Sequence, residues 1–142
     1  MITEDYVSFE TAKLLKEKGF DCACKVWYAE YASVWGGDPS GDRKYINIQF
    51  DDENMVNDSY KFLCYAPTLQ MAIKWLRKNH NLAISASVTV DGWRSYVSQI
   101  KLDSEGFVVD IIDGIDDGNI PNCNTYEQAC EAAIKYCLEN LI

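Results

Sequence analysis

Hydrophobic and polar residues follow two different periods along this chain, and each change of period marks the boundary of an element. The clearest helical segment has apolar residues at positions i, i+3, i+4 and i+7, namely Leu69, Ala72, Ile73 and Leu76. This spacing is typical of the buried stripe of an amphipathic helix. Pro67 and Thr68 suit the start of a helix, and basic residues gather near its end, where they complement the helix dipole. The pattern predicts a helix over 67–79.

Two further helices are indicated by the residues at their ends. Ser8 is suited to an N-cap and Gly19 to the left-handed position after a C-terminus, which predicts a helix over 9–18. Thr125 and Gln128 have the spacing of a capping box and predict a helix over 126–141.

The remaining apolar segments have the composition or the alternation of strands. Segments 25–31, 45–50 and 60–65 are rich in aromatic and β-branched residues, although Trp27, Tyr31 and Trp35 also have a spacing that suits one face of a helix. Apolar and small polar residues alternate over 82–90, and Asp91-Gly92 is a strong hairpin signal. Segments 93–102 and 107–112 then return on either side of a turn at 103–106, so a meander of three antiparallel strands is expected.

This order of elements predicts a single α+β domain over 1–142. Its antiparallel sheet includes the three-stranded meander, and about three helices pack on it. With 142 residues, of which 48% are hydrophobic, the chain can bury an ordinary core.

Composition also bears on the location of the protein. No apolar run approaches the length of a membrane span, and the N-terminal stretch carries acidic residues where a signal peptide would carry basic ones. We therefore expect a soluble, cytoplasmic protein. The six cysteines include no CxxC pair, so reduced thiols that pack as small core residues are the expected state.

The charge of the chain limits its partners. A formal net charge of −9 argues against direct binding to nucleic acid, because phosphate affinity comes from clustered Lys and Arg. One acidic run follows Lys101 without a basic residue: Asp103, Glu105, Asp110, Asp113, Asp116 and Asp117. A solvated acidic edge explains it, and a surface that mimics nucleic acid is the alternative.

Motifs for catalysis or for metal binding are incomplete. Gly36 and Gly41 have the spacing of a phosphate loop, but neither the Lys nor the following helix is present. The loop that begins at Asp113 resembles a calcium loop, yet Ile115 stands where an oxygen ligand belongs. His80 is the only histidine and is explained as a partner for a helix C-terminus. We predict no catalytic residue, cofactor or metal.

Aromatic residues supply the remaining candidates for a binding surface. Trp35, Trp93 and Tyr31 are the residues to check, because exposed Trp and Tyr are frequent in binding hot spots.

Three segments resemble a group of short uncharacterised proteins carried by phages, prophages and other mobile elements of gut bacteria. They are VSFETAKLLKEKGFD, APTLQMAIKWLRKNHN and TYEQACEAAIKYCLENLI, which together make up about a third of the chain. The resemblance implies a genetic setting and brings no activity with it.

These observations favour a small non-enzymatic binding or accessory protein of a phage-like element. It would act through a protein partner or as a homodimer, without a membrane or nucleic acid as direct partner. Two alternatives are an acidic mimic that occupies a DNA-binding protein, and a small hydrolase or transferase that uses His80.

Overall fold

The computed structural model describes residues 2–32, 44–50 and 60–142. These residues form three helices, α1 (Phe9–Glu17), α2 (Leu69–His80) and α3 (Tyr126–Asn140), and six strands, β1 (Val26–Ala32), β2 (Lys44–Phe50), β3 (Tyr60–Tyr65), β4 (Leu82–Thr89), β5 (Gly92–Leu102) and β6 (Val108–Ile112). Among the described residues, no helix is both long enough and apolar enough to span a membrane.

The ends of α1 follow from local chemistry. The Ser8 hydroxyl accepts a hydrogen bond from the Thr11 N–H at 3.3 Å. At the other end Gly19 has φ +95°, and the Phe20 N–H returns to the Leu15 carbonyl at 2.9 Å. These contacts form a left-handed C-terminal motif in which glycine avoids the strain of a Cβ. The predicted start and end of the helix are confirmed.

The other two helices are capped by the residues predicted from sequence. Thr68 accepts the Met71 N–H at 3.1 Å, and Thr125 accepts the Gln128 N–H at the same distance. The Gln128 side chain returns to the N–H of Asn124, one residue before the cap.

The α+β class and the meander are confirmed, but the strands divide between two sheets. One sheet has the order β2-β1-β3 and the other β4-β5-β6, and every pairing in both is antiparallel. The pairing of β1 with β2 and β3 excludes the helical interpretation of its aromatic spacing. The β4-β5 turn also differs by one residue: Val90 and Asp91 form it, while Gly92 already pairs with Thr89.

The core lies between the helices and one face of the meander. Helices α2 and α3 pack on β4 or β5, and α1 packs on β3 and α3. The largest apolar side chains that are completely buried are Leu15, Leu76, Ile134 and Leu138. Cys64, Cys130 and Cys137 are buried free thiols, as expected for core cysteines, whereas Cys22 is exposed.

Candidate functional site

Strand β6 is exposed along its whole length although four of its five residues are apolar. Val108, Val109, Ile111 and Ile112 keep between 42% and 63% of their surface accessible. A soluble protein seldom exposes a contiguous apolar strand unless the strand serves an interaction. This makes β6 the feature from which a functional site is best built.

The exposure of β6 follows from the topology. It is the last strand of the β4-β5-β6 sheet, and among the described elements it packs closely only with β5. Helices α2 and α3 cover β4 and β5, where Leu82 and Val97 are almost completely buried. None of the described helices covers either face of β6 in the same way.

Backbone geometry identifies the groups on the free edge. The Ile100 N–H donates to the Asn81 carbonyl, so even-numbered residues of β5 direct their backbone groups towards β4. Odd-numbered residues of β5 therefore face β6, where Lys101 pairs with Asp110 and Gln99 with Ile112. It follows that Ile111 directs its N–H and C=O towards the open edge.

Asp110 occupies part of this edge. Its carboxylate accepts the Ile111 N–H at 2.9 Å, and a register shift beside it leaves Val109 as an extra residue on the strand. Bulges and charged residues are two ways in which native edge strands avoid uncontrolled pairing. The edge of β6 is therefore protected against uncontrolled strand pairing, although most of its side chains are apolar.

The apolar surface continues beyond the strand. Ile100 is the cross-strand neighbour of Ile111, and Leu102 that of Val108, on the face of the sheet opposite the helices. We define the β6 surface by its exposed apolar residues: Leu102, Phe107, Val108, Val109, Ile111 and Ile112.

The predicted acidic run lies before, within and after β6 in the sequence, with one correction. Asp103 and Glu105 lie in the turn before β6, Asp110 lies within it, and Asp113 and Asp117 follow it, all exposed. Asp116 is only 3% exposed, so it cannot contribute to a surface patch. Its carboxylate instead accepts the buried Val97 N–H at 3.0 Å.

Asp116 has a structural explanation. Beyond the end of β6 the backbone of β5 still needs partners on that side, and an unpaired buried N–H would cost about 1–3 kcal/mol. Asp116 supplies an acceptor to Val97, and the Ile115 N–H donates to the Val97 carbonyl. The loop that resembled a calcium site thus supplies hydrogen-bond partners to the edge of β5 beyond the end of β6. In the described part of the chain, no group of three or more His, Cys, Asp or Glu residues is placed to hold a metal ion.

The aromatic candidates lie elsewhere. Trp93 is half-buried, and its ring packs edge-on against Tyr126 with centroids 5.6 Å apart. Tyr31 is half-buried on β1, where its hydroxyl donates to the Gln49 side chain. Trp35 lies outside the described residues, as does the glycine-rich loop at 36–41.

His80 lies at the C-terminal end of α2, as predicted. It is half-buried, and its ring packs on that of Trp75 with centroids 4.9 Å apart. A cleft of about 440 Å³ lies between α1 and β3 and includes Cys64 in its lining. Burial raises the pKa of Cys64, which disfavours the reactive thiolate there.

The sequence matches no protein-family model, and searches of curated proteins and of solved structures returned no significant match.

The sequence pattern predicts that 107–112 is a strand but does not predict that it is a binding surface. One signal was present: apolar residues occupy both alternating positions of the strand, which is typical of a strand covered on both faces. Only the topology places such a strand at an uncovered edge.

Proposed function

We propose that this protein is a small non-enzymatic binding protein that takes a protein partner onto the β6 surface. The observation that carries the proposal is the exposure of all five residues of β6 on both faces of the sheet edge. An added strand would pair with the backbone N–H and C=O that Ile111 directs towards the open edge, and apolar partner residues would cover the β6 side chains. Strand addition of this kind is a common mode of peptide recognition.

The cellular setting is part of the same proposal. The resemblance of the helical segments to small phage and prophage proteins supports an accessory role in a mobile element, with the bacterial cytoplasm as the location. The acidic composition is compatible with this setting, since net charge favours solubility.

The two other functions remain hypotheses with less support. The nucleic-acid mimic loses one of its six carboxylates, because Asp116 is buried. The hydrolase or transferase requires a partner for His80, whose described side-chain contact is with the ring of Trp75.

Affinity capture from producing cells tests the proposal when the wild type is compared with matched variants. The β6 variant carries Val109→Thr and Ile111→Thr, which preserve strand propensity while removing apolar surface. The control carries Val88→Thr and Val90→Thr, at positions 66% and 102% exposed near the opposite end of the meander.

We expect a protein that is retained by the wild type and the control but about tenfold less by the β6 variant, equivalent to about 1.4 kcal/mol. Equal retention by all three proteins would overturn the proposal, as would the absence of any retained protein.

A further inference from the structure

We infer that the partner segment on the β6 surface is an extended cationic peptide of another protein, in which Lys or Arg alternates with apolar residues. This inference rests on the proposed function and deepens it by naming the chemistry of the partner. The evidence for this inference is the set of charged residues around β6, which recognition through the apolar side chains alone would not require.

Four exposed carboxylates lie in β6, in the turn before it or directly after it, belonging to Asp103, Glu105, Asp110 and Asp113. Lys101 is the only basic residue between positions 101 and 117. Opposite charges on paired strands stabilise a sheet by about 0.2–1 kcal/mol per pair. An alternating cationic and apolar strand would match both the charges and the apolar side chains.

A second copy of this chain does not have that complementarity. If Val109 of one copy pairs antiparallel with Ile111 of another, the two Asp110 side chains lie opposite each other. If the two Ile111 residues pair, each Asp110 lies opposite Ile112 of the other copy, so neither register supplies a cation to Asp110. Like charges placed directly opposite are destabilising, and the net charge of −9 on each chain adds repulsion.

Asp110 links the charge of the partner to backbone pairing. In the free protein its carboxylate accepts the Ile111 N–H at 2.9 Å and makes no ion pair with the cross-strand Lys101, although both residues are described. A cationic side chain beside Asp110 offers the carboxylate a stronger partner, since charge-assisted hydrogen bonds exceed neutral ones. The Ile111 N–H then becomes available to the incoming strand, which an acidic strand could not achieve.

Synthetic peptides of defined charge test this inference directly. The first probe is a blocked peptide of alternating Lys and Val, and the second replaces each Lys by Glu. The third has the sequence and charge of the first but carries methyl groups on its Val nitrogens, so that it cannot donate hydrogen bonds along the edge that would place Lys opposite Asp110. Titration followed by the amide NMR signals of 107–113 gives both the affinity and the location of binding.

For the wild type we expect the Lys peptide to bind at least about tenfold more tightly than the other two, with shifts centred on Ile111. A Glu105→Lys and Asp110→Lys double variant should reverse the preference and bind the Glu peptide. A control with Asp21→Lys and Asp91→Lys has the same net charge, changes two exposed residues remote from β6 in the sequence, and should retain the preference for Lys.

Three results would overturn the inference. Equal binding of the methylated peptide would indicate general electrostatic attraction without strand pairing. Equal binding of the Glu peptide would remove the charge selectivity. A dimer in sedimentation experiments that the β6 variant abolishes would make a second copy the occupant. If affinity capture still depends on β6 in any of these cases, the proposed function stands and only the partner chemistry is wrong.

Discussion

At the scale of single residues, Gly92 is the described glycine at which an added side chain would meet the closest neighbour. Its φ is +118°, and a Cβ built there would lie 2.6 Å from the carbonyl oxygen of Cys123. The same neighbour exchanges two backbone hydrogen bonds with Trp93, each of 2.8 Å, so it cannot easily move away. Glycine here permits the loop before α3 to lie directly against β5.

We expect Gly92→Ala to lower the free energy of unfolding by about 3 kcal/mol. About 1–2 kcal/mol comes from the positive φ, and overpacking against a fixed carbonyl adds about 1–3 kcal/mol. Urea denaturation measures the loss.

The matched control is Gly106→Ala. Gly106 has φ +89°, but no atom lies within 4 Å of its added Cβ, so only the backbone term of about 1 kcal/mol applies. Equal losses in the two variants would show that the Cys123 carbonyl does not constrain Gly92.

At the scale of elements, α1 is capped by another helix. The Glu131 carboxylate of α3 accepts the Ser8 N–H at 2.9 Å and the Thr11 hydroxyl at 2.6 Å. In an ordinary capping box an acidic side chain at the third helical position reaches back to the N-cap N–H. Here Thr11 holds that position and α3 supplies the carboxylate, so a tertiary contact completes the local cap that Ser8 forms.

We expect Glu131→Ala to destabilise the protein by about 1–3 kcal/mol, because the buried Thr11 hydroxyl loses its acceptor and the exposed Ser8 N–H loses a capping partner. Hydrogen exchange should accelerate most at the amides of α1. Glu131→Gln keeps an acceptor oxygen and should cost less.

Glu139→Ala serves as the control on the same helix, since its exposed carboxylate lies 3.9 Å from Lys135 and contributes little. If exchange in α1 responds equally to Glu131→Ala and Glu139→Ala, the capping role of Glu131 is wrong.

Two of the four edge strands, β2 and β6, share a further device at this scale. On β2 the Asn47 side chain accepts the Ile48 N–H at 3.0 Å, just as Asp110 accepts that of Ile111 on β6. In each case a short polar side chain bonds the next backbone N–H and leaves it unavailable for further pairing. Only β6 combines this protection with exposure of its whole length.

At the scale of the whole molecule, buried thiols make the protein less stable as the pH rises through the alkaline range. Burial raises the pKa of Cys137 to about 12, against an ordinary value of 9.0, and it also raises the pKa of Cys130 and Cys64. Above pH 9 the unfolded chain releases a proton that the native Cys137 retains. The protonated Cys137 thiol therefore makes its full contribution to the stability of the native state below about pH 9. This contribution is lost as pH rises towards 12.

We expect the free energy of unfolding to fall from pH 8 to 10.5, with a contribution from Cys137 of at most about 1.4 kcal/mol per pH unit. Cys137→Ala should reduce this slope, whatever constant loss the small cavity adds. Cys22→Ala changes an exposed thiol and should leave the slope unchanged. Identical slopes for all three proteins would contradict the assignment.

Local sequence was sufficient for most of the elements because their boundaries depend on neighbouring residues. Ser8, Thr68 and Thr125 cap the predicted helices, since a hydroxyl reaches an N–H three residues ahead without tertiary help. The meander followed from alternation and turn residues for the same reason. The hairpin turn lies one residue earlier than predicted. Gly92 belongs to β5, where its close contact with Cys123, far away in the sequence, requires a glycine.

The candidate site depended on long-range arrangement. Six strands of similar composition could form one sheet or two, and the choice rests on which helix covers which face. Asp116 and Asp117 are adjacent acidic residues, yet one is buried beneath β5 and the other exposed, because only one of them faces the Val97 N–H. The apolar character of β6 is visible in the sequence. Its exposure arises because α2 and α3 pack on β4 and β5, so that no described helix covers the last strand.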